Sequence, residues 1–350
     1  MGRVARLGVI ANPENRRCES FLAAVQRRGL PRPEVVSWAE LIAGKIPTAD
    51  FVRIDSAGEN EGVRRALVAL GGGDAEGCEP GRIWGMAAGA LGMRRALQPL
   101  TGRPCSIPPY RIATLFDKAR CQEITAAVAR TPSPVGMIDD LDGLLRTGVS
   151  RAFLKPLAGS SASGVLAFER AGDRLQITCS VELVREPMAR LYNNLRVRKY
   201  RDPADIAQII ALLAPEGLYA ERWVPKAGIG GRSFDLRVLV IDGRARHVVV
   251  RTANGPLTNL HLGNQRGSIE AVRERYPRGW ADAMGQAEAA AGVMPDVICL
   301  GVDVVVGLDG KAYVIELNAF GDLLPGVVHQ GQDPWDAQLD AYLTHSQSAG

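Results

Sequence analysis

The residues of this chain most ready to do chemistry are two acids that a hairpin would set face to face. In Gly301-Val302-Asp303-Val304-Val305-Val306-Gly307-Leu308-Asp309-Gly310-Lys311-Ala312-Tyr313-Val314-Ile315-Glu316-Leu317-Asn318, two apolar β runs flank Asp309-Gly310, which reads as a two-residue type I′ turn. That turn sets Leu308 opposite Lys311 and, further up the ladder, Asp303 opposite Glu316. Alternation of side chains puts Asn318 on the face of Glu316. Like charges directly opposed destabilise a hairpin, and a cation between them removes that penalty. Oxygen donors with no His or Cys among them suit Mg2+, which takes a few carboxylates together with substrate phosphates. The plainer alternative is an edge hairpin with two solvated acids.

A second stretch, Ala152 to Phe168, reads as a strand ending in Lys155, a loop of small residues from Gly159 to Gly164, and a new strand from Val165. Gly, Ser and Ala let backbone N–H groups and hydroxyls approach an anion, and the lysine supplies charge for phosphate oxygens. Taken alone, such a loop is an ordinary turn, and it is not a P-loop. Lys118 falls in the first turn of a helix expected to start at an N-cap Thr114, with Asp117 three residues on as in a capping box. A lysine there opposes the helix dipole.

The elements that must position these residues follow a strand–helix–strand rhythm at the start. Arg6 to Ala11 is a short apolar run, a helical pattern runs from Cys18 to Arg28 and ends at Gly29, and Val35–Trp38 and Phe51–Asp55 are further strands. This predicts an α/β unit with a mostly parallel sheet. Gly71-Gly72-Gly73-Asp74 lacks phosphate-loop spacing and reads as a turn. Pro108-Pro109 marks a unit boundary near residue 108.

Composition excludes several function classes. The 350 residues are 46% hydrophobic, 23% charged and 5% aromatic, with net charge +4, which fits a globular protein and not a disordered one. No basic stripe with stacking aromatics indicates nucleic acid. No apolar stretch approaches the length of a membrane span, and the first residues do not form a signal-peptide core, so a cytoplasmic location is expected. The six cysteines are scattered singly, without C-x-x-C pairs, and read as reduced thiols.

In order and approximate spacing, Lys118, Lys155, the Gly159–Gly164 loop, Glu221-Arg222-Trp223-Val224 and the Asp303, Glu316, Asn318 trio resemble the ATP-grasp ligases. Phe234-Asp235-Leu236-Arg237 resembles the Asp-x-Arg strand of the RimK-type and D-alanine:D-alanine ligase-like branch, and Thr258-Asn259-Leu260-His261 resembles the segment after its second arginine, here Arg251. The resemblance covers roughly residues 110 to 326. It implies an α/β (α+β) ATP-grasp fold: an N-terminal pre-ATP-grasp α/β domain over 1–108, a central subdomain over 109–218 and a C-terminal subdomain over 219–350.

The resemblance also implies roles. Lys118 and Lys155 would hold the α- and β-phosphates of ATP, while Gly159, Ser160, Ser161, Ser163 and Gly164 would close over the β- and γ-phosphates. Glu221 would receive the adenine amino group, with Arg222 and Val224 completing the adenine contact through their backbone and Trp223 as a candidate site wall. Asp303, Glu316 and Asn318 would bind one or two Mg2+. Arg237, Arg251 and Asn259 would serve catalysis. Two departures stand out: Pro225 to Gly230 contains no acid for the ribose, and Asn318-Ala319-Phe320-Gly321-Asp322 lacks the family's proline. A type I′ turn at Asp242-Gly243 pairs Arg237 with Val248 and Arg251 with Phe234, on opposite faces, so a bulge is needed to bring both arginines to one site.

The implied reaction is ATP-dependent amide formation between a small-molecule or peptide carboxylate and an amine, through an acyl phosphate. The alternatives are an ATP-grasp kinase of small alcohols and a nucleotide-binding module without turnover. His261 reads as structural in preference to a general base. Arg196, Arg198, Lys199 and Arg201 form a basic run that suits either an acidic peptide or a solvated strand edge. Nothing in the residues fixes an oligomeric state, and a homodimer is the default expectation.

Overall fold

The computed structural model describes residues 6–58, 60–159, 162–321 and 324–348. Ser160 and Ser161 therefore lie outside the described residues. Three sheets organise the chain. In the first, β1 (Leu7–Ile10) lies between β2 (Glu34–Val36) and β3 (Phe51–Ile54), all parallel. These strands are apolar because both faces are covered. Phe21, Ala24 and Val25 of the helix Arg16–Arg27 pack beside Leu7 and Val9, while Leu67 and Leu97 belong with Ile10 and Val52 on the other side.

The second sheet is antiparallel, with order β4 (Pro134–Met137), β9 (Leu218–Arg222), β5 (Arg151–Pro156), β6 (Leu166–Ala171), β7 (Arg174–Val184) and β8 (Arg190–Tyr200). The helix Pro203–Leu213 buries Ile206, Ile209, Ile210 and Leu213 against it. A boundary after residue 218 would cut β9, whose ladder with β4 and β5 assigns it to this central sheet.

The third sheet has order β13 (Gln265–Gly267), β12 (Arg244–Ala253), β11 (Arg232–Ile241), β14 (Cys299–Val306) and β15 (Ala312–Asn318), with β10 (Gly228–Ile229) also paired to β11. Its back buries Phe234, Leu236, Val238, Val302 and Val304 together with Ala283, Ala287 and Ala290 of the helix Pro277–Ala291. The final helix, Pro334–Ser348, returns to the first sheet, where the Tyr342 ring lies 5.4 Å from that of Phe51. The end of the 219–350 segment thus packs on the N-terminal unit.

Three local expectations are corrected. Thr114 sits inside the helix Pro109–Leu115, and Asp117 is the N-cap of the helix Lys118–Ala126, accepting from the Arg120 N–H at 3.0 Å. At the β14–β15 turn, Val306 pairs with Ala312 and the Gly307 N–H donates to Lys311, so the loop is three residues ending in a left-handed Gly310. Ile315 then bulges from β15, because Val304 pairs with Val314 but Asp303 with Glu316. The longer loop and the bulge cancel, and Asp303 faces Glu316 all the same. In β11–β12 the turn is Asp242-Gly243, but Arg246 bulges, so Arg251 pairs with Asp235 and Arg237 with Val249. This is the bulge needed to place Arg237 and Arg251 on one face.

All six cysteines are free and buried. Among the described residues, no helix is long and apolar enough to cross a membrane.

Candidate functional site

The front face of the third sheet carries a charged row that follows from strand register. Gly230 and Gly231, both at positive φ, turn β10 into β11, and extending that ladder sets Lys226 opposite Asp235. Asp235 faces Arg251 on β12; two residues along β11, Arg237 faces Asp303 on β14, which faces Glu316 on β15. Side chains of one parity therefore share this face, while the other parity supplies the core behind it.

Lys226, Asp235, Arg251, Asp303 and Arg237 form a continuous ion-pair network. Arg237 is bidentate on Asp303, with Nε and Nη2 at 2.6 and 3.1 Å from its carboxylate oxygens. Arg251 spans two acids, donating from Nε to Asp235 at 2.7 Å and lying 3.0 Å from Asp303 through Nη2. Lys226 Nζ donates to Thr258 Oγ1 at 2.8 Å and to the Pro256 carbonyl at 3.1 Å, and pairs with Asp235 at 3.3 Å. Thr258 in turn donates to Asp235.

The central sheet faces this row across a cleft of about 700 Å³, lined among others by Lys118, Lys155, Glu221, Lys226, Asp235, Arg251, Asp303 and Glu316. Lys155 pairs with Glu221 at 2.5 Å and donates at 3.1 Å to the carbonyl of the bulged Ile315. Lys118 pairs with Glu316 at 2.8 Å and also donates to the Gly159 carbonyl. The two lysines thus come from different elements, β5 and the helix after Asp117, yet both engage acids at the same opening.

Burial and charge set the proton affinities. Burial pushes the Glu221 carboxyl up, against the pull of Lys155. Burial would also raise Glu316, but Lys118 and Lys155 hold it below its ordinary value. For Asp235, Arg251 and Lys226 overcome burial and bring the carboxyl down to about 2. Lys226 is lowered by burial despite Asp235.

The remaining predicted residues are distributed as follows. Gly159, Arg222, Val224 and Asn259 line the cleft. Ser163 and Gly164 close the loop beside it, with the Ser163 carbonyl close to Gly159 and Gly164 left-handed. Trp223 packs on Phe153, its ring 5.0 Å away, with the Arg151 guanidinium 5.4 Å from it. Trp223 and Asn318 are not among the residues lining the cleft. Asn318 pairs with Gly301, donates weakly to its carbonyl at 3.5 Å, and lies beside Arg237, whose Nη1 would be 3.2 Å from a Cβ on Gly301. His261 is exposed on the turn Leu260–Leu262. The Glu221 carboxylate is engaged by Lys155, so the implied adenine contact requires it to leave that lysine or share it.

Lys226 and Thr258 were not anticipated as site residues. The Gly230-Gly231 dipeptide is the signal that finds the lysine, since a two-residue turn there dictates that Lys226 opposes Asp235.

Asp303 and Glu316, opposed across two strands with Asn318 next on the same face, fit Mg2+ by donor chemistry. Among the described residues, no group of three or more His, Cys, Asp or Glu gathers to form a complete metal cage. An ion held here would draw further oxygens from Asn318 and from phosphate.

No family model and no curated protein sequence matches the chain. Solved structures do. Over 99% of this chain and 100% of the other, it is similar to the ATP-grasp ligase PsnB complexed with a phosphomimetic variant of minimal precursor, Mg and ADP, at 16% identity and TM-score 0.55. It is also similar to the D-cycloserine synthetase DcsG, at 14% identity and TM-score 0.59 over 97% of this chain and 99% of that one. A third similarity is to D-alanine–D-alanine ligase from Bacillus anthracis complexed with ATP, at 15% identity and TM-score 0.53 over 99% and 98% of the two chains. With a parallel N-terminal sheet followed by two antiparallel sheets that face each other across a charged cleft, the chain has the ATP-grasp fold.

Proposed function

We propose that this chain is an ATP-dependent carboxylate–amine ligase that forms an amide through an acyl phosphate and releases ADP and Pi. The observation that carries the reading is the single cleft in which Lys118 and Lys155 face the Arg251–Asp303–Arg237 network and Glu316. Lysines on one wall suit phosphate oxygens, and buried arginines on the other suit the charge that develops on a transferring phosphoryl group. ATP- and ADP-bound ligases among the structural neighbours support the same reading. The Asp235-x-Arg237 strand and the Asn259-Leu260-His261 segment favour the RimK-type and D-alanine:D-alanine ligase-like branch.

A substrate carboxylate oxygen attacks the γ-phosphorus, the bond to the β-phosphate oxygen breaks, and ADP leaves. The amine nitrogen then attacks the acyl carbon, the acyl–phosphate bond breaks, Pi departs, and the nitrogen gives up a proton. Lys118 and Lys155 exchange their carboxylate partners for phosphate oxygens, with the Gly159–Gly164 loop above them. Arg237 and Arg251 are already oriented by Asp303 and Asp235, so they need little reorganisation as charge moves. Phe153, Val165, Val224, Leu257 and Val305 line the same cleft and exclude water from the acyl phosphate. Mg2+, if held by Glu316 and Asn318 with an Asp303 oxygen shared with its arginines, would supply neutralising charge to the phosphates. Positioning and electrostatics provide the rate, and no side-chain nucleophile is required.

The test is hydroxylamine trapping. Pools of small acids and acidic peptides are incubated with ATP, Mg2+ and hydroxylamine, and hydroxamate is measured with ADP. A ligase yields both in equal amounts. A kinase yields ADP and a phosphorylated product that does not react with hydroxylamine, and a non-catalytic module binds ATP without producing ADP.

A further inference from the structure

The basic run at 196–201 lies outside the cleft, on the last strand of the central sheet. On its outer side β8 already accepts an added chain along part of its length. Residues 81–83 pair with it, the Ile83 N–H donating to the Leu191 carbonyl at 2.8 Å and the Asn193 N–H donating to the Gly81 carbonyl at 2.7 Å. Glu79 fastens this arrangement through Arg190 at 2.6 Å and the Tyr192 hydroxyl at 2.5 Å. Beyond Asn193, nothing among the described residues pairs with the outer edge.

The open part has an unusual form. Val181 pairs with Asn193 but Cys179 with Arg198, so Asn194 to Val197 oppose Ser180 alone and bulge from the sheet. β8 contacts the turn Leu260–Leu262, which follows the cleft-lining Asn259. Leu195 and Val197 are 72% and 44% exposed. Arg198 is pinned by Glu182 at 2.5 Å, and Arg201 donates to Gln176 at 3.0 Å. Arg196 and Lys199 are exposed, and their side chains have no partner among the described residues.

Charged residues and bulges are also how edge strands avoid pairing. Such protection does not account for two apolar side chains standing out of the same segment. We propose that the outer edge of β8 from Asn194 to Tyr200 is a docking strand for an extended acidic peptide. The peptide would continue the line of residues 81–83 as an added strand, with main-chain hydrogen bonds for affinity and Arg196 and Lys199 for charge selection. The identity of that peptide as the carboxylate substrate rests on the ligase reading. A second copy of β8 is disfavoured as occupant because it would bring the same cations to the edge.

The probe is a fluorescent octapeptide alternating Glu with Val or Thr, titrated by anisotropy against the full chain without nucleotide. It should bind. A Gln-for-Glu probe and the double variant Arg196→Glu/Lys199→Glu should each weaken binding by about tenfold or more, with the melting temperature of the variant checking its fold. Probes N-methylated on alternate residues test strand addition on the wild type alone: one parity should abolish binding and the other leave it. Absence of binding, equal binding by the Gln probe or the variant, equal binding by both methylated probes, or self-association through β8 overturns the proposal. Because no nucleotide is present, failure of ATP to bind in a separate titration sinks the ligase reading without touching this result.

Discussion

Replacing Lys155 by Met separates the structural work of the cleft from the nucleotide chemistry proposed for it. Lys155 is 8% exposed and its partner Glu221 3%, with 2.5 Å between their charged atoms. Removing one member of a buried pair leaves the other charge uncompensated, at about 3–5 kcal/mol. Glu221 has a way to relieve that cost: burial already raises its carboxyl, and without Lys155 it rises further. A carboxyl whose folded pKa lies above its unfolded value binds its proton first in the folded state. Stability is then full below the unfolded value, about 4.3, and falls as pH rises toward the folded one. Lys155→Met should therefore lose more stability relative to wild type at pH 8 than at pH 5, measured by thermal or urea unfolding. Adding Glu221→Gln removes the orphaned charge and should recover most of the loss at pH 8. Calorimetric titration should show ATP binding lost in both variants, since the phosphate partner is absent from both. A deficit independent of pH, or a double variant no more stable than the single one, refutes the electrostatic account. Normal ATP binding by the double variant refutes the assignment of Lys155 to phosphate.

Arg237→Met and Arg251→Met should each lower the hydroxamate rate by about 10²–10³-fold, with a smaller effect on ATP affinity measured by calorimetry. Glu316→Gln should abolish the gain in ATP affinity produced by Mg2+ and, because Lys118 loses its carboxylate partner, should strengthen binding in EDTA, read by paired titrations. Asp235, with its carboxyl down to about 2, contributes stability that is fully present above its unfolded value of about 3.9 and is lost as pH falls toward 2. In Asp235→Asn that acid-dependent component should vanish from the unfolding profile, together with a loss of about 3–5 kcal/mol from unpairing Lys226 and leaving Arg251 with Asp303 alone.

What the sequence made legible was pairing set by alternation and turns, and what it hid was insertion. The parallel first sheet followed from short apolar runs separated by a helical pattern, and the Asp303–Glu316 pairing followed from two apolar runs around Asp309-Gly310. That second inference held for a reason its premise did not contain, because the three-residue loop and the bulge at Ile315 offset each other. A bulge adds one residue without changing residue type, so periodicity does not register it. For the same reason, the bulge at Arg246 could be named as a requirement for uniting Arg237 and Arg251 but not located. The four-residue bulge of β8 left no trace beyond its basic run. Lys226 is different: the Gly230-Gly231 turn that sets it opposite Asp235 is plain in the sequence.

The bulges explain how a site so charged can exist before any ligand arrives. Five cations, Lys118, Lys155, Lys226, Arg237 and Arg251, meet four carboxylates, Glu221, Asp235, Asp303 and Glu316, and each cation has a carboxylate within ion-pair distance. Leaving any of them buried and unpaired would be costly, so the ion pairs keep the cations ordered in the cleft. The carboxylates are not equivalent. Asp235 is enclosed by Arg251, Lys226 and Thr258, whereas Glu316 is the partner of Lys118 and also the candidate ligand for a divalent ion. Under the proposed function, an ion that drew Glu316 away would leave Lys118 without its carboxylate partner and free for phosphate. On that reading ion and nucleotide would strengthen each other's binding by the same factor, through the opposition of Asp303 and Glu316 that the bulge at Ile315 secures.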